Sequence, residues 1–170
     1  MDVEDCCNGA MYVTNSMKAA DVDKLCIDGG SAGGFTTLAC LTQRNLFKAG
    51  ASKYGVSDLE ALIRDTHKFE SRYIDSMVGP YPECKELYVE RSPINSAEKL
   101  NCPMIFFQGD EDKVLYCTNH MYSRIKIKHK LQNTLECNFV WIYLILCMQF
   151  LTFIIHRLFF LISPKRCLKY

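Results

Sequence analysis

Apolar positions recur at helical spacing through Val3, Cys6, Cys7, Ala10, Met11, Thr14 and Met17, and Asp2 and Asp5 stand where carboxylates favour a helix start. This pattern predicts a first helix, followed by the polar turn Ala19 to Lys24. Leu25, Cys26 and Ile27 form a short apolar run closed by glycines, which predicts a strand buried on both faces. Phe35 to Arg44 reads as a helix, Lys48 to Val56 as a strand interrupted by glycines, and Asp58 to Val78 as one helix or two short ones. Gly79 to Glu83, reading GPYPE, ends that stretch. Ser92 to Leu100 looks like a loop with a short helix before Pro103, and Met104 to Phe107 make a third strand ending at Gly109. The order α, β, α, β, α, β implies a mostly parallel sheet flanked by helices, with functional sites beyond the carboxyl ends of the strands. Ser31 and Asp112 both fall there.

Composition limits this to one globular domain: 170 residues, 49% hydrophobic and 23% charged, enough to bury a core. The formal net charge of +1 gives no reason to expect nucleic acid as a partner. Its distribution is uneven. Residues 1–112 hold 18 of the 19 acids and 11 of the 20 Lys and Arg, a balance of −7, while residues 113–170 hold Glu136 alone against nine bases, a balance of +8. All nine glycines also precede Asp112, so turn chemistry stops where the charge changes sign.

The ten cysteines show no CxxC and no regular spacing, and the acidic start MDVEDCC lacks the basic and apolar regions of a signal peptide. They read as mostly reduced thiols in a cytoplasmic protein. Cys6, Cys7, Cys26 and Cys40 fall on apolar faces or runs, where a thiol acts as a small buried hydrophobe. No spacing calls for a metal.

Gly29, Gly30, Ser31, Ala32 and Gly33 spell GxSxG, with a strand entering and a helix leaving. In that context the pattern predicts a nucleophile elbow: glycines permit a crowded turn, the serine hydroxyl stands above the sheet edge, and the N–H of Ala32 is placed to donate to a developing oxyanion. The phosphate-loop alternative fails, because the stretch matches neither GxxxxGK[ST] nor GxGxxG, so no nucleotide or other cofactor is called for. An ordinary serine in a tight turn remains the plain alternative. A nucleophilic serine also needs a base, and a carboxylate to orient that base. Asp110, Glu111 and Asp112 all follow the third strand, and position alone does not choose among them.

GGSAGGF (Gly29 to Phe35), KYGVSDL (Lys53 to Leu59), RSPINSAEKLNCPMIFFQG (Arg91 to Gly109) and DEDKV (Asp110 to Val114) together make the chain resemble the catalytic domain of the prolyl oligopeptidase family of serine peptidases. The resemblance is to its dipeptidyl-peptidase-like and acylaminoacyl-peptidase-like members. It implies a partial α/β-hydrolase fold over residues 1–114, truncated at both ends, that acts on peptides. By the same resemblance Ser31 matches the nucleophile, Ala32 the oxyanion donor, Gly29, Gly30 and Gly33 the elbow, and Asp112 the triad acid. The region from Gly55 to Tyr73 is then expected to line the substrate pocket. The family's histidine precedes a glycine and a phenylalanine some tens of residues after the acid, and His67, His120, His129 and His156 all lack that context. GxSxG and an acid do not fix the acyl group, so an esterase of the same fold stays open.

Residues 115–138 read as a basic divergent linker and residues 139–163 as a hydrophobic tail. Phe139 to Ile155 carries no charge, the short end for a membrane span, and bases flank it on both sides, so no orientation follows. Two readings stand beside each other: membrane association through residues 139–162, or a replaced end with no designed role.

Overall fold

The computed structural model describes residues 2–65, 73–108 and 140–143. Four parallel strands, β1 (Cys26–Gly30), β2 (Ala49–Lys53), β3 (Met104–Gln108) and β4 (Val140–Tyr143), lie side by side in chain order. The expected alternation and mostly parallel sheet are present. β3, reading MIFFQ, is buried at every position, while the first four residues of β2, AGAS, are all small. That smallness lets α2 (Ala32–Gln43) lie close on the sheet: a Cβ on Gly50 would overlap Leu41 Cδ1 and stand 3.0 Å from Met104 sulfur.

α2 buries seven of its residues, Gly34 and the run Thr37 to Thr42, and ends where Arg44 turns extended. α1 (Asp2–Met11) starts with Asp2, Glu4 and Asp5 in its first turn, where they complement the helix dipole. It packs on α2 through buried Cys7, with Val3 and Ala10 partly buried in the same apolar cluster, and Glu4 pairs with Arg44. The expected single helix through Met17 instead widens into a π-turn at Tyr12–Ser16, where Thr14 Oγ1 donates to the Ala10 and Met11 carbonyls at 3.1 Å each.

Two expectations change. β1 is not buried on both faces: Cys26 and Asp28 are exposed and Ile27 only half-buried, because no described element covers the face that carries Cys26 and Asp28. For the same reason Cys26 is not a buried thiol, and Cys6 is exposed on α1, whereas Cys7 and Cys40 are buried as expected. In Asp58 to Val78, read as one helix or two short ones, the described residues form α3 (Leu59–Asp65) and α4 (Tyr73–Val78). A further helix, α5 (Lys85–Arg91), occupies a stretch that had no assigned element.

α5 anchors a second apolar cluster. Its fully buried Tyr88 packs with Val56, Leu59 and Ile74, while its hydroxyl donates to the Gly79 carbonyl at 2.7 Å. Ser92 ties the cluster together, accepting the Leu59 N–H at 2.9 Å and donating to the Tyr88 carbonyl at 2.6 Å. β4 comes from the apolar segment read as a tail: Val140–Tyr143 pair in parallel with Ile105–Gln108. Among the described residues no helix is long and apolar enough to cross a membrane.

Candidate active site

Ser31 sits alone between β1 and α2. Its backbone lies at φ 55°, ψ −120°, one of three non-glycine residues with positive φ among those described. A side chain held there costs about 1–3 kcal/mol and persists only where its surroundings force it. The forcing contacts are on both sides: Ser31 N–H donates to Lys53 O at 3.0 Å, at the end of β2, and Ser31 O accepts the first turn of α2 from Phe35 N–H at 3.1 Å.

This geometry separates Ser31 from an ordinary helix cap. A capping serine has extended backbone and spends its hydroxyl on an N–H of the first turn. Ser31 has neither feature: its side chain makes no capping hydrogen bond, and the residue is exposed. Ala32 and Gly33, the first residues of α2, are exposed beside it, so their backbone N–H groups open the helix without partners from within it.

Gly29, Gly30 and Gly34 are present for space, whereas a Cβ on Gly33 would meet nothing within 4 Å. A Cβ on Gly29 would overlap the Gly33 carbonyl, so β1 and α2 meet with nothing between them. Deeper in, a Cβ on Gly34 would lie 2.5 Å from Gly55 Cα, which pins α2 to the chain leaving β2. At Gly30 the missing side chain is replaced from across the sheet: a Cβ there would stand 2.8 Å from the Tyr54 hydroxyl. Tyr54 itself is held at φ 39°, its N–H donating to Phe107 O at 2.6 Å. Lys53 Nζ pairs with Asp28 Oδ2 at 2.6 Å, an ion pair beside the elbow. Sequence reading gave Tyr54 no role beyond its place in KYGVSDL.

Register fixes where the other parts leave the sheet. Gly30 pairs with Lys53 and Lys53 with Phe107, so Ser31 stands level with Gln108, two strands or about 10 Å away. The chain therefore leaves β3 at the same edge as Ser31. Asp112, expected in the loop beyond, lies outside the described residues, as do His67, His120, His129 and His156.

Of the expected pocket region, residues 55–65 and Tyr73 are described. They leave β2, form α3 and begin α4, and Asp58 Oδ1 caps α3 by accepting the N–H groups of Glu60 at 2.9 Å and Ala61 at 3.1 Å. Phe35, from the first turns of α2, joins Tyr54, Leu62 and Ile63 as partly buried apolar residues of the second cluster. That cluster thus borders the elbow. Burial raises the Tyr88 hydroxyl above its ordinary value, with the Asp75 charge adding to the shift, so Tyr88 remains a neutral donor there. Among the described residues no group of His, Cys, Asp or Glu is placed to hold a metal ion.

A parallel sheet with helices against it, and a strained serine where a strand turns sharply into a helix at the sheet's carboxyl edge, are the marks of the α/β-hydrolase fold. The family model of the prolyl oligopeptidase family matches residues 1–137. Dipeptidyl aminopeptidase BIII of Pseudoxanthomonas mexicana is 29% identical over 96 residues, which is 53% of this chain and 14% of that protein. The puromycin-hydrolyzing peptidase of Mycobacterium tuberculosis is similar with a TM-score of 0.75 at 35% identity, over 84% of this chain and 21% of that one. The acylaminoacyl peptidase of Pyrococcus horikoshii gives 0.66 at 26% identity, over 74% and 21%. This chain belongs to the prolyl oligopeptidase family. It spans about a fifth of the length of these two solved relatives and 14% of the curated one.

Proposed function

We propose that the chain carries the acyl-transfer centre of a serine peptidase, with Ser31 as nucleophile. The observation that carries this reading is the strained backbone of Ser31 together with a hydroxyl not spent on capping α2. Ser31 Oγ attacks the carbonyl carbon of a peptide, its proton passing to a base. The Ala32 N–H stabilises the oxyanion, the amine leaves carrying a proton, and water then releases the acyl group from Ser31. Asp112 is the acid that orients the base, a role that rests on the family motif GxxD. The partly buried Phe35, Tyr54, Leu62 and Ile63 border the substrate's acyl side.

Relatives named as dipeptidyl aminopeptidase, acylaminoacyl peptidase and puromycin-hydrolyzing peptidase support a peptide or aminoacyl amide as substrate over a simple ester. The sequence context of the four histidines supports a further step: turnover in this chain is impaired, since loss of a triad member typically costs on the order of 10⁴ in rate or more. The test is a panel of aminoacyl and dipeptidyl 4-nitroanilides beside 4-nitrophenyl acetate, with wild type and Ser31→Ala. Slow amide cleavage that Ser31→Ala abolishes is expected. Cleavage of the ester alone would indicate an esterase, and turnover unchanged by Ser31→Ala would reject the assignment.

The same impairment motivates a second reading, in which a hydrolase fold persists without turnover and associates with membrane through residues 139–162, a state in which Val140–Tyr143 leave their pairing with β3. Its sign is folded protein that hydrolyses neither class of substrate yet floats with lipid vesicles. Cytoplasmic residence, the accompanying proposal, is tested by fractionation of cells expressing the full chain.

A further inference from the structure

Where α1 lies on α2, three thiols converge. Cys40 on α2 donates its S–H to the backbone carbonyl of Val3 on α1 at 3.9 Å, so at this point nothing larger than a thiol separates the two helices. Helical side chains lean back over the preceding turn, which places those of Cys6 and Cys7, three and four residues beyond Val3, above the turn that Cys40 touches. Both thiols reach it: Cys40 shares side-chain hydrogen bonds with Cys7 and with Cys6. Cys7 and Cys40 are buried in the main apolar cluster, whereas Cys6 is exposed and is the thiol that an oxidant in solution meets first. The acyl-transfer centre at Ser31 uses none of the three.

We propose that Cys6, Cys7 and Cys40 form a thiol–disulfide exchange site, which accepts a small-molecule disulfide such as glutathione disulfide and ends with Cys40 bonded to α1. The Cys6 thiolate attacks one sulfur of the disulfide, whose S–S bond breaks and releases one glutathione as thiolate. The Cys40 thiolate then attacks the Cys6 sulfur of the mixed disulfide and expels the second glutathione. Two protein thiols are oxidised, one disulfide is reduced to two thiols, and the protons lost by Cys6 and Cys40 are taken up by the glutathione thiolates. Cys7 takes over the bond by attacking the Cys40 sulfur and freeing Cys6, which carries the link into the core. Burial pushes the Cys40 thiol up to about 12, so its thiolate is scarce and the resolving step is the slow one. The same shift makes Cys40 a poorer leaving group than glutathione, so the finished bond resists reduction. The link closes a loop that contains β1 and the serine turn, and it holds α1 against the helix that follows Ser31.

The experiment is incubation of the folded full chain with glutathione disulfide, followed by non-reducing digestion, mass-spectrometric fragmentation to place each bond, and thermal unfolding. A bond from Cys40 to Cys6 or Cys7 is expected, with a Tm raised by ~10 °C that dithiothreitol reverses. Cys40→Ala should stop the reaction at glutathione on Cys6, and Cys6→Ser should slow bonding of Cys40 at least ~tenfold. Cys6→Ser lies at an exposed position and decides the matter should Cys40→Ala fail to fold. A Cys40 that stays a free thiol in the folded chain overturns the proposal. So does a bond from Cys40 to a cysteine outside α1, or a rate of bonding unchanged by Cys6→Ser. None of these readouts depends on hydrolytic activity.

Discussion

β1 and β3 belong to one parallel sheet and end at one edge, but they are held by different means. β3 is buried at all five positions, with Met104 and Phe106 in the main cluster beside α2. β1 has β2 on one side and α2 over part of one face, and its two last residues are glycines. Among the described residues the strand that fixes the sheet is thus apolar and enclosed, whereas the strand that presents Ser31 is thin and less covered. What β1 lacks in burial is supplied locally, by the Ser31–Lys53 hydrogen bond, the Tyr54 ring behind Gly30 and the Gly34–Gly55 contact. Packing stabilises the sheet, and close backbone contacts position the site.

The largest expected difference lies between the cores of the two strands. Phe106→Ala should cost about 3–5 kcal/mol of unfolding free energy, and Ile27→Ala about 1–2, measured by urea denaturation. Equal losses would mean that β1 is packed as firmly as β3. The next effect is one of pH and lies in the main apolar cluster, where burial pushes the Cys40 thiol up to about 12 from an ordinary 9.0. The unfolded chain loses that proton first. The contribution of the buried thiol is therefore complete below pH 9 and is lost as pH rises towards 12. Cys40→Ala should flatten that alkaline slope.

Smaller still is the release of strain at the turn. Ser31→Gly should raise stability by about 1 kcal/mol, because glycine accepts positive φ without the steric cost that serine carries. No gain would show that the backbone of Ser31 is not strained. Smallest is the ion pair beside it: Lys53→Met should cost below about 1 kcal/mol, given that 46% of the Asp28 side chain is exposed.

The alternation of helices and strands was legible from apolar spacing, and the serine turn from GxSxG set between a strand and a helix. The openness of β1 was not. Leu25, Cys26 and Ile27 spell the same apolar run whether a strand has one neighbour or two, because burial of a strand is a property of its neighbours. α5 was obscured for a different reason. KELYVER offers one large buried residue, Tyr88, in a polar stretch, too little periodicity to declare a helix. Tyr54 behind Gly30 and Ser52 beneath Gly34 lie far from the elbow in sequence, and a motif reports only residues adjacent along the chain. Val140–Tyr143 reads as part of a long apolar run, in which a short parallel strand has no separate signature.

The most direct test of Ser31 is reaction of the folded chain with a fluorophosphonate probe, followed by peptide mapping. The expected result is a single phosphonyl adduct on Ser31, slow to form and absent from Ser31→Ala and from urea-unfolded protein. Folded protein that takes no adduct, or takes it on another residue, would contradict the account.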